Sequence, residues 1–433
     1  MRRLHGNRAR RQHRVRRALA ALVTAGVLVS VVFTSVLVVA SPAEADSIRD
    51  RQYWLNQYGI SQAWNTTRGA GVTVAVIDTG IDGSHPDLAG QVIAGTDVSG
   101  VGAANGQTPV GDSSGHGTMV ASLLAGRGHG NGDGVIGVAP DAKLLAVSMG
   151  FGAGTVSSDD QIATAVRWAV DNGADVINMS LTRNTLEWPE SWDDAFLYAM
   201  QHDVVIVAAA GNRGSGTTQV GAPATMPGVL TVAGVDRSGS ASFDASSQGI
   251  TISVAAPSEE LVGALPGGGY AQWDGTSGAT PLVAGLVALV RSAHPELDAG
   301  NVINRITATA SRVGNEEVSA IYGHGRINAA AAVLSDVPSV ASDPADELTE
   351  WIRLYRRAES QPTEPPSATP KPTPQPVPAP APGPENPLGT VLPTVDSLRN
   401  VGVPLLVYTG FTGLLAGTAV AAVRSFRRLR DRR

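Results

Sequence analysis

Four polar side chains stand beside glycine where apolar segments of the sequence begin or end. Asp78 closes the run VAVID, Asn212 closes VIVAAAGN, His116 precedes a helical stretch in GHGT, and Ser277 opens the uncharged stretch SGATPLVAG. Singly, such residues are commonly helix caps or turn formers. A serine hydroxyl can also be a nucleophile, provided that a base and an orienting group lie nearby. The four residues suggest that chemistry only if the fold brings them together.

The elements around these residues predict an α/β fold. Short, β-branched apolar runs alternate with segments of helical period, which is typical of a mostly parallel sheet covered by helices on both faces. Working residues in such sheets gather at the carboxyl ends of the strands. The predicted strands lie within 72–78, 143–149, 175–181, 203–212 and 229–236, and the predicted helices within 118–126, 160–173 and 191–203.

The motifs resemble those of a known family. VAVIDTGID, GHGT and GTSGATPLVAG, in this order, resemble the three signature blocks of the subtilases, the subtilisin-like serine proteases, and AAAGN resembles their oxyanion block. The resemblance covers residues 50–330. It implies the subtilisin-like three-layer fold, with Ser277 as nucleophile, His116 as general base and Asp78 as its orienting carboxylate. It also implies that Asn212 and the Ser277 backbone N–H bind the oxyanion.

The same resemblance implies where a peptide substrate binds. Subtilases bind an extended peptide as an added strand. Ser180 and Leu181 match one wall of the pocket for the side chain before the cut, and 209–211 (Ala209, Ala210, Gly211) match the other. Gly152 and Gly154 match the strand that pairs with the substrate further upstream. These segments carry no carboxylate, although Glu187 and Asp193 stand on a loop nearby, so an apolar or small side chain is expected before the cut.

Three positions depart from the family pattern, and one ligand remains open. Gly278 follows the serine where the family usually has a larger residue, and Thr182 stands where the family usually has glycine. Ser258 follows Pro257 where family members often have glycine. The chemistry requires no cofactor. The resemblance makes a structural calcium ion an expectation, with no ligands assigned.

Composition and charge limit the function classes. The chain has 433 residues and no cysteine, which excludes disulfides, thiolate metal sites and a cysteine nucleophile. Eight arginines lie in the first 17 residues and six in the last ten, whereas the remainder is acidic. An acidic main body argues against nucleic acid as a partner. The basic ends are typical of membrane topology signals.

Two apolar segments predict export and anchoring. Residues 1–45 have a basic start, an apolar stretch and a small-x-small end, typical of a signal peptide, with an uncleaved anchor as the alternative. Residues 401–423 carry no charge and are long enough to span a bilayer; a buried core helix is the alternative. We expect a peptidase domain at 46–335, a Pro-rich linker at 336–398 and a basic cytoplasmic tail at 424–433. The catalytic domain would then face outward from the cell membrane.

This architecture resembles the mycosins, the membrane-anchored subtilases of type VII secretion systems. The sequence therefore predicts an extracytoplasmic serine endopeptidase that acts on proteins or peptides, with secretion-system membrane proteins as expected partners. Three alternatives remain. The chain could be a largely structural component that stabilises a membrane secretion complex, a peptide ligase using the same acyl transfer, or a general surface protease for nutrient peptides.

Overall fold

A seven-stranded sheet forms the centre of the protein. The computed structural model describes residues 45–360, apart from 112, 131 and 153–155. The sheet order is β2-β5-β1-β6-β7-β8-β9, and every neighbouring pair is parallel. Two short hairpins, β3-β4 and β10-β11, lie outside it. The strands are β1 (Thr73–Asp78), β2 (Val92–Asp97), β3 (Arg127–His129), β4 (Asp133–Ile136), β5 (Lys143–Ser148), β6 (Val176–Met179), β7 (Val205–Ala209), β8 (Leu230–Val235), β9 (Val254–Pro257), β10 (Leu261–Ala264) and β11 (Tyr270–Trp273).

Helices cover both faces of this sheet. All residues of β6, β7, β8 and β9 are buried, which requires packing on each face. The helices in the described part are α1 (Ala45–Asp50), α2 (Trp54–Gln57), α3 (Ile60–Ala63), α4 (His116–Ala125), α5 (Ser158–Asp171), α6 (Glu190–Gln201), α7 (Thr276–Ala293), α8 (Ala299–Ala308), α9 (Ala329–Leu334) and α10 (Pro344–Ser360). The predicted α/β class, the five predicted strands and the three predicted helices are confirmed. The edge strands β2 and β9 were not predicted, because VIAGTD is largely half-exposed and VAAP is short and ends in proline.

Helix α7 lies in the core against β6, β7, β8 and β9. Its sequence is apolar on all sides, and it is buried from Gly278 through Val290. Such a helix has no solvated face, so packing on every side fixes its position. It can therefore hold its N-terminal residues, Ser277 among them, in one place relative to the strand ends.

The chain continues to pack beyond residue 335, where we expected the linker to begin. Helix α10 contacts α6, and its Ala345 and Leu348 belong to the core. The Trp351 ring lies 4.3 Å from that of Trp188, and Arg356 Nε donates to the buried Asp193 carboxylate at 2.8 Å. The first part of the predicted linker is thus a packed helix, because Ala345, Leu348 and Ile352 recur at helical spacing on the side that meets the core.

Several predictions fall on residues that the structure does not describe. These are the signal peptide up to residue 44, the rest of the linker from 361 to 398, the membrane-spanning segment 401–423 and the tail 424–433. Within the described ranges, no helix combines the length and apolar character needed to cross a bilayer.

Candidate active site

The four predicted residues meet at the carboxyl end of the sheet. Asp78 is the last residue of β1, and His116 is the first residue of α4. Asn212 follows β7 by three residues, and Ser277 lies in the first turn of α7. Parallel strands end at one edge, so residues far apart in sequence become neighbours there.

Asp78 fixes the orientation of His116. Nδ1 of His116 lies 2.8 Å from Oδ1 and 2.9 Å from Oδ2 of Asp78, whose side chain is 1% exposed. A carboxylate only accepts hydrogen bonds, so Nδ1 carries the proton and Nε2 is left to accept one. The Thr79 backbone N–H also donates to Asp78 Oδ1, at 2.7 Å, and Thr79 Oγ1 accepts the Gly117 N–H at 3.0 Å. Thr79 therefore joins β1 to the start of α4.

Two opposing effects set the pKa of His116. Burial lowers this pKa, and the negative charge and hydrogen bonds of Asp78 raise it by more, so the pKa lies above the ordinary value for histidine. The imidazole side chain is still 24% exposed, so a molecule in the cleft can reach it. The pair is thus arranged to stabilise an imidazolium once His116 accepts a proton.

Ser277 is tied to Ser180 by two hydrogen bonds. Ser277 Oγ donates to the Ser180 carbonyl at 3.1 Å, and Ser180 Oγ donates to the Ser277 carbonyl at 2.8 Å. Pro281 favours the second bond, because it has no N–H to donate to the carbonyl four residues earlier, which is that of Ser277. Among the described residues, no hydrogen bond joins Ser277 to His116. Catalytic hydrogen bonds are often unformed before substrate binds.

Thr276 orients the amide of Asn212. Asn212 Oδ1 accepts from both the backbone N–H and the hydroxyl of Thr276, each at 2.8 Å. Because the backbone N–H can only donate, the amide oxygen must face Thr276, and Nδ2 is left to donate elsewhere. Gly275 is needed beside this pair: its φ is +142°, and a Cβ there would lie 2.9 Å from Asn212 Nδ2. Thr276 was not predicted as a site residue, although it lies in the quoted serine motif.

Leu261 and Trp273 occupy the space that Gly278 leaves open. The Trp273 ring meets the His116 ring edge-to-face, with centroids 5.5 Å apart. A Cβ on Gly278 would lie 3.3 Å from Trp273 and would overlap the buried side chain of Leu261. The side chains of Leu261 in β10 and Trp273 in β11 therefore fill the volume that a larger residue at position 278 would take. Sequence motifs alone do not reveal this exchange, because the compensating residues lie elsewhere in the chain.

A cleft of about 540 Å³ opens beside His116. Three of the predicted substrate-binding residues line it, namely Gly152, Ser180 and Leu181, together with Thr182. The other predicted wall, 209–211, does not line this cleft and is buried next to Asn212. Gly154 lies outside the described residues.

The two acidic residues considered for the pocket, Glu187 and Asp193, differ in burial and in their contacts. Asp193 is buried and accepts hydrogen bonds from Trp188 Nε1 at 2.6 Å and from Arg356, so it serves the α6–α10 contact. Glu187 is exposed on the loop before α6. For the residues that the structure covers, no group of three His, Asp or Glu side chains could hold a metal ion, and calcium binding stays a prediction.

Comparisons with known proteins identify the family. Residues 69–325 match the subtilase family. Subtilisin E from Bacillus subtilis (strain 168) is 41% identical over 286 residues, covering 64% of this chain and 70% of that protein. Subtilisin DY from Bacillus licheniformis is 39% identical over 272 residues, covering 61% of this chain and 92% of that protein.

Solved structures are similar as well. MycP1 with its N-terminal propeptide removed has a TM-score of 0.57 at 32% identity, covering 67% of this chain and 98% of that one. The MycP3 protease from the type VII (ESX-3) secretion system has a TM-score of 0.57 at 33% identity, covering 66% and 88%. With a family match over more than half its length, the chain belongs to the subtilase family and is a subtilisin-like serine endopeptidase.

Proposed function

We propose that Ser277, His116 and Asp78 form the catalytic triad of this endopeptidase. The observation that carries the proposal is the pair of hydrogen bonds from His116 Nδ1 to the buried Asp78 carboxylate, at 2.8 and 2.9 Å. These bonds leave Nε2 as the base on the side of the cleft. We propose that Ser277 Oγ exchanges its bond to the Ser180 carbonyl for one to that base when substrate binds.

The reaction then follows from the positions of these groups. Ser277 Oγ forms a bond to the substrate carbonyl carbon while His116 Nε2 takes the hydroxyl proton, and Asp78 stabilises the resulting imidazolium. His116 returns the proton to the leaving amine as the C–N bond breaks. Water repeats the same sequence on the acyl-enzyme and releases the acid.

Asn212 and the start of α7 bind the negative charge that develops on the substrate oxygen. Thr276 holds the Asn212 amide so that Nδ2 can donate. The Ser277 backbone N–H lies in the first turn of α7, where helix N–H groups are unpaired and the helix dipole favours negative charge. Removing one donor of this kind typically costs about 10²–10³-fold in rate.

The substrate is a protein or peptide bound in extended form. Gly152, Ser180 and Leu181 line the cleft beside His116, where they can contact residues before the cut. The predicted second wall, 209–211, leads directly into Asn212. The side chain before the scissile bond would therefore lie between the 180–182 segment and this wall.

We further infer that the enzyme is held on the outer face of the cell membrane as a mycosin of a type VII secretion system. The support is the apolar segment 401–423 between a Pro-rich stretch and an arginine-rich tail, and the export-signal pattern of 1–45. Similarity to MycP3, at 33% identity, adds to it. The alternative is a largely structural role in a membrane secretion complex.

One substitution tests the chemistry and separates these roles. Ser277→Ala in the full-length chain is expected to lower kcat for peptide hydrolysis by about 10⁶-fold. In a deletion strain, a protease role predicts that Ser277→Ala fails to restore secretion, whereas a structural role predicts full restoration. Ser292→Ala, on the far end of α7, is the matched control. Full hydrolytic activity in Ser277→Ala would contradict the proposal.

A further inference from the structure

Thr182 stands in the space that determines which side chain can precede the scissile bond. This inference rests on the proposed function. Ser180 and Ser277 are joined by reciprocal hydrogen bonds, so the 180–182 segment is fixed beside the nucleophile. The opposite wall is the end of β7 and the residues that follow it, up to Asn212. A substrate side chain next to the attacked carbonyl must fit between these two walls.

The side chain of Thr182 packs against the wall that ends at Asn212. A Cβ on Gly211 would lie 3.2 Å from Thr182 Cγ2, and it would also meet Thr217 Cγ2 at 2.6 Å and Ser247 Oγ at 3.1 Å. Gly211 directly precedes Asn212, so the methyl group of Thr182 lies close to the backbone of the opposite wall. The threonine thus narrows the space between the two walls.

Hydrogen bonds and an ion pair hold Thr182 in this position. Its Oγ1 donates to the Arg183 carbonyl at 3.1 Å, and the Arg183 backbone N–H donates to the Ala222 carbonyl at 2.7 Å. The Arg183 guanidinium pairs with Asp159 at 2.5 Å. A β-branched side chain has few rotamers, so Thr182 cannot easily swing aside to admit a large group.

We propose that Thr182 restricts the residue before the cut to a small side chain, namely glycine, alanine or serine. The branched side chain at this position fills the volume that a leucine or phenylalanine side chain would need. Each methylene gained or lost in an apolar pocket changes kcat/KM by about 10–200-fold, so the discrimination should be large. A glycine at the same position would open the gap between the two walls.

The test compares Thr182→Gly and Thr182→Ser with the unsubstituted chain, using peptides that differ only in the residue before the cut. The unsubstituted full-length chain should cleave after alanine with a kcat/KM at least tenfold above that for leucine or phenylalanine. Thr182→Gly should reduce or invert this ratio by tenfold or more. Thr182→Ser, which keeps the hydroxyl and loses the methyl, should fall between the two.

Thr185→Gly is the matched control, since it makes the same change at an exposed position in the same loop. Its ratio of kcat/KM for alanine over leucine or phenylalanine before the cut should equal that of the unsubstituted chain.

Two results would overturn the inference and leave the triad intact. One is an active Thr182→Gly variant with an unchanged ratio. The other is an unsubstituted chain that accepts phenylalanine before the cut as well as alanine. Absence of any cleavage dependent on Ser277 overturns the proposed function and this inference with it. Labelling by a fluorophosphonate checks that each variant has an assembled site. If Thr182→Gly is not labelled, the kcat/KM ratios of Thr182→Ser are compared with those of the unsubstituted chain instead, and an unchanged ratio overturns the inference.

Discussion

Asn212 depends on a neighbour from another element for its orientation. Thr276 contributes both a backbone N–H and a hydroxyl to Asn212 Oδ1, and its hydroxyl also accepts the Gly211 N–H at 3.1 Å. The motif predicted Asn212 because an asparagine follows AAAG. It did not predict Thr276, since that role exists only once β7 and α7 lie side by side. Trp273 was missed for the same reason.

Substitution of this pair should affect the rate more than substrate binding. Asn212→Ala should lower kcat by about 10²–10³-fold with a much smaller change in KM, because the donor acts on charge present only in the transition state. Thr276→Val should cause a smaller loss, since the backbone N–H remains, and Thr276→Ser should be close to normal. Steady-state kinetics on one peptide substrate measure all three. An Asn212→Ala enzyme with unchanged kcat would rule out this amide as the donor.

The pKa of His116 predicts the acidic limb of the pH profile. The base must be neutral, so kcat/KM should fall as the pH drops through a pKa that Asp78 holds above the ordinary value of histidine, about 6.5. In Asp78→Asn the negative charge that raises the His116 pKa is gone, while burial still lowers that pKa. The acidic limb should therefore move to lower pH, while the plateau falls by about 10⁴-fold. Profiles of kcat/KM against pH give both the pKa of the acidic limb and the height of the plateau. An acidic limb at the same pH in Asp78→Asn as in the unsubstituted chain would contradict the assignment of this limb to His116.

At the scale of elements, the parallel sheet followed from the sequence because its strands are continuous apolar runs and its helices have clear periodicity. Helix α10 was assigned to a linker because Pro-rich sequence follows it. Its packing depends on a distant element, α6, which local periodicity does not report. The buried Asp193 needs a cation, and Arg356 supplies it from α10.

Two arginines of α10 should therefore differ in their effect on stability. Arg356→Ala removes the cationic partner of the Asp193 carboxylate, which is only 6% exposed, and should lower the free energy of unfolding by about 1–3 kcal/mol. Arg353→Ala breaks an ion pair with Glu350 in which both side chains are more than half exposed, and should change stability by no more than about 0.5 kcal/mol. Denaturant titration in a Ser277→Ala background avoids self-cleavage. Equal midpoints for the two variants would argue against docking through Arg356.

At the scale of the whole molecule, the described residues form an α/β peptidase core whose last element is the packed helix α10. The anchor and the export signal were inferred from charge and apolar length at the two ends of the sequence, and the secretion partnership from the resemblance of this architecture to the mycosins. The fold of the core does not report on them, because the residues that carry them lie outside the described ranges.

The central claim is that one serine among many is activated, and adduct mapping tests it most directly. The full-length chain, solubilised in mild detergent, is treated with a fluorophosphonate, digested and analysed by mass spectrometry. The account predicts a single phosphonyl adduct on Ser277 that is lost in His116→Ala, because the hydroxyl reacts only with its base in place. An adduct on another serine, or a folded chain that forms none, would contradict it.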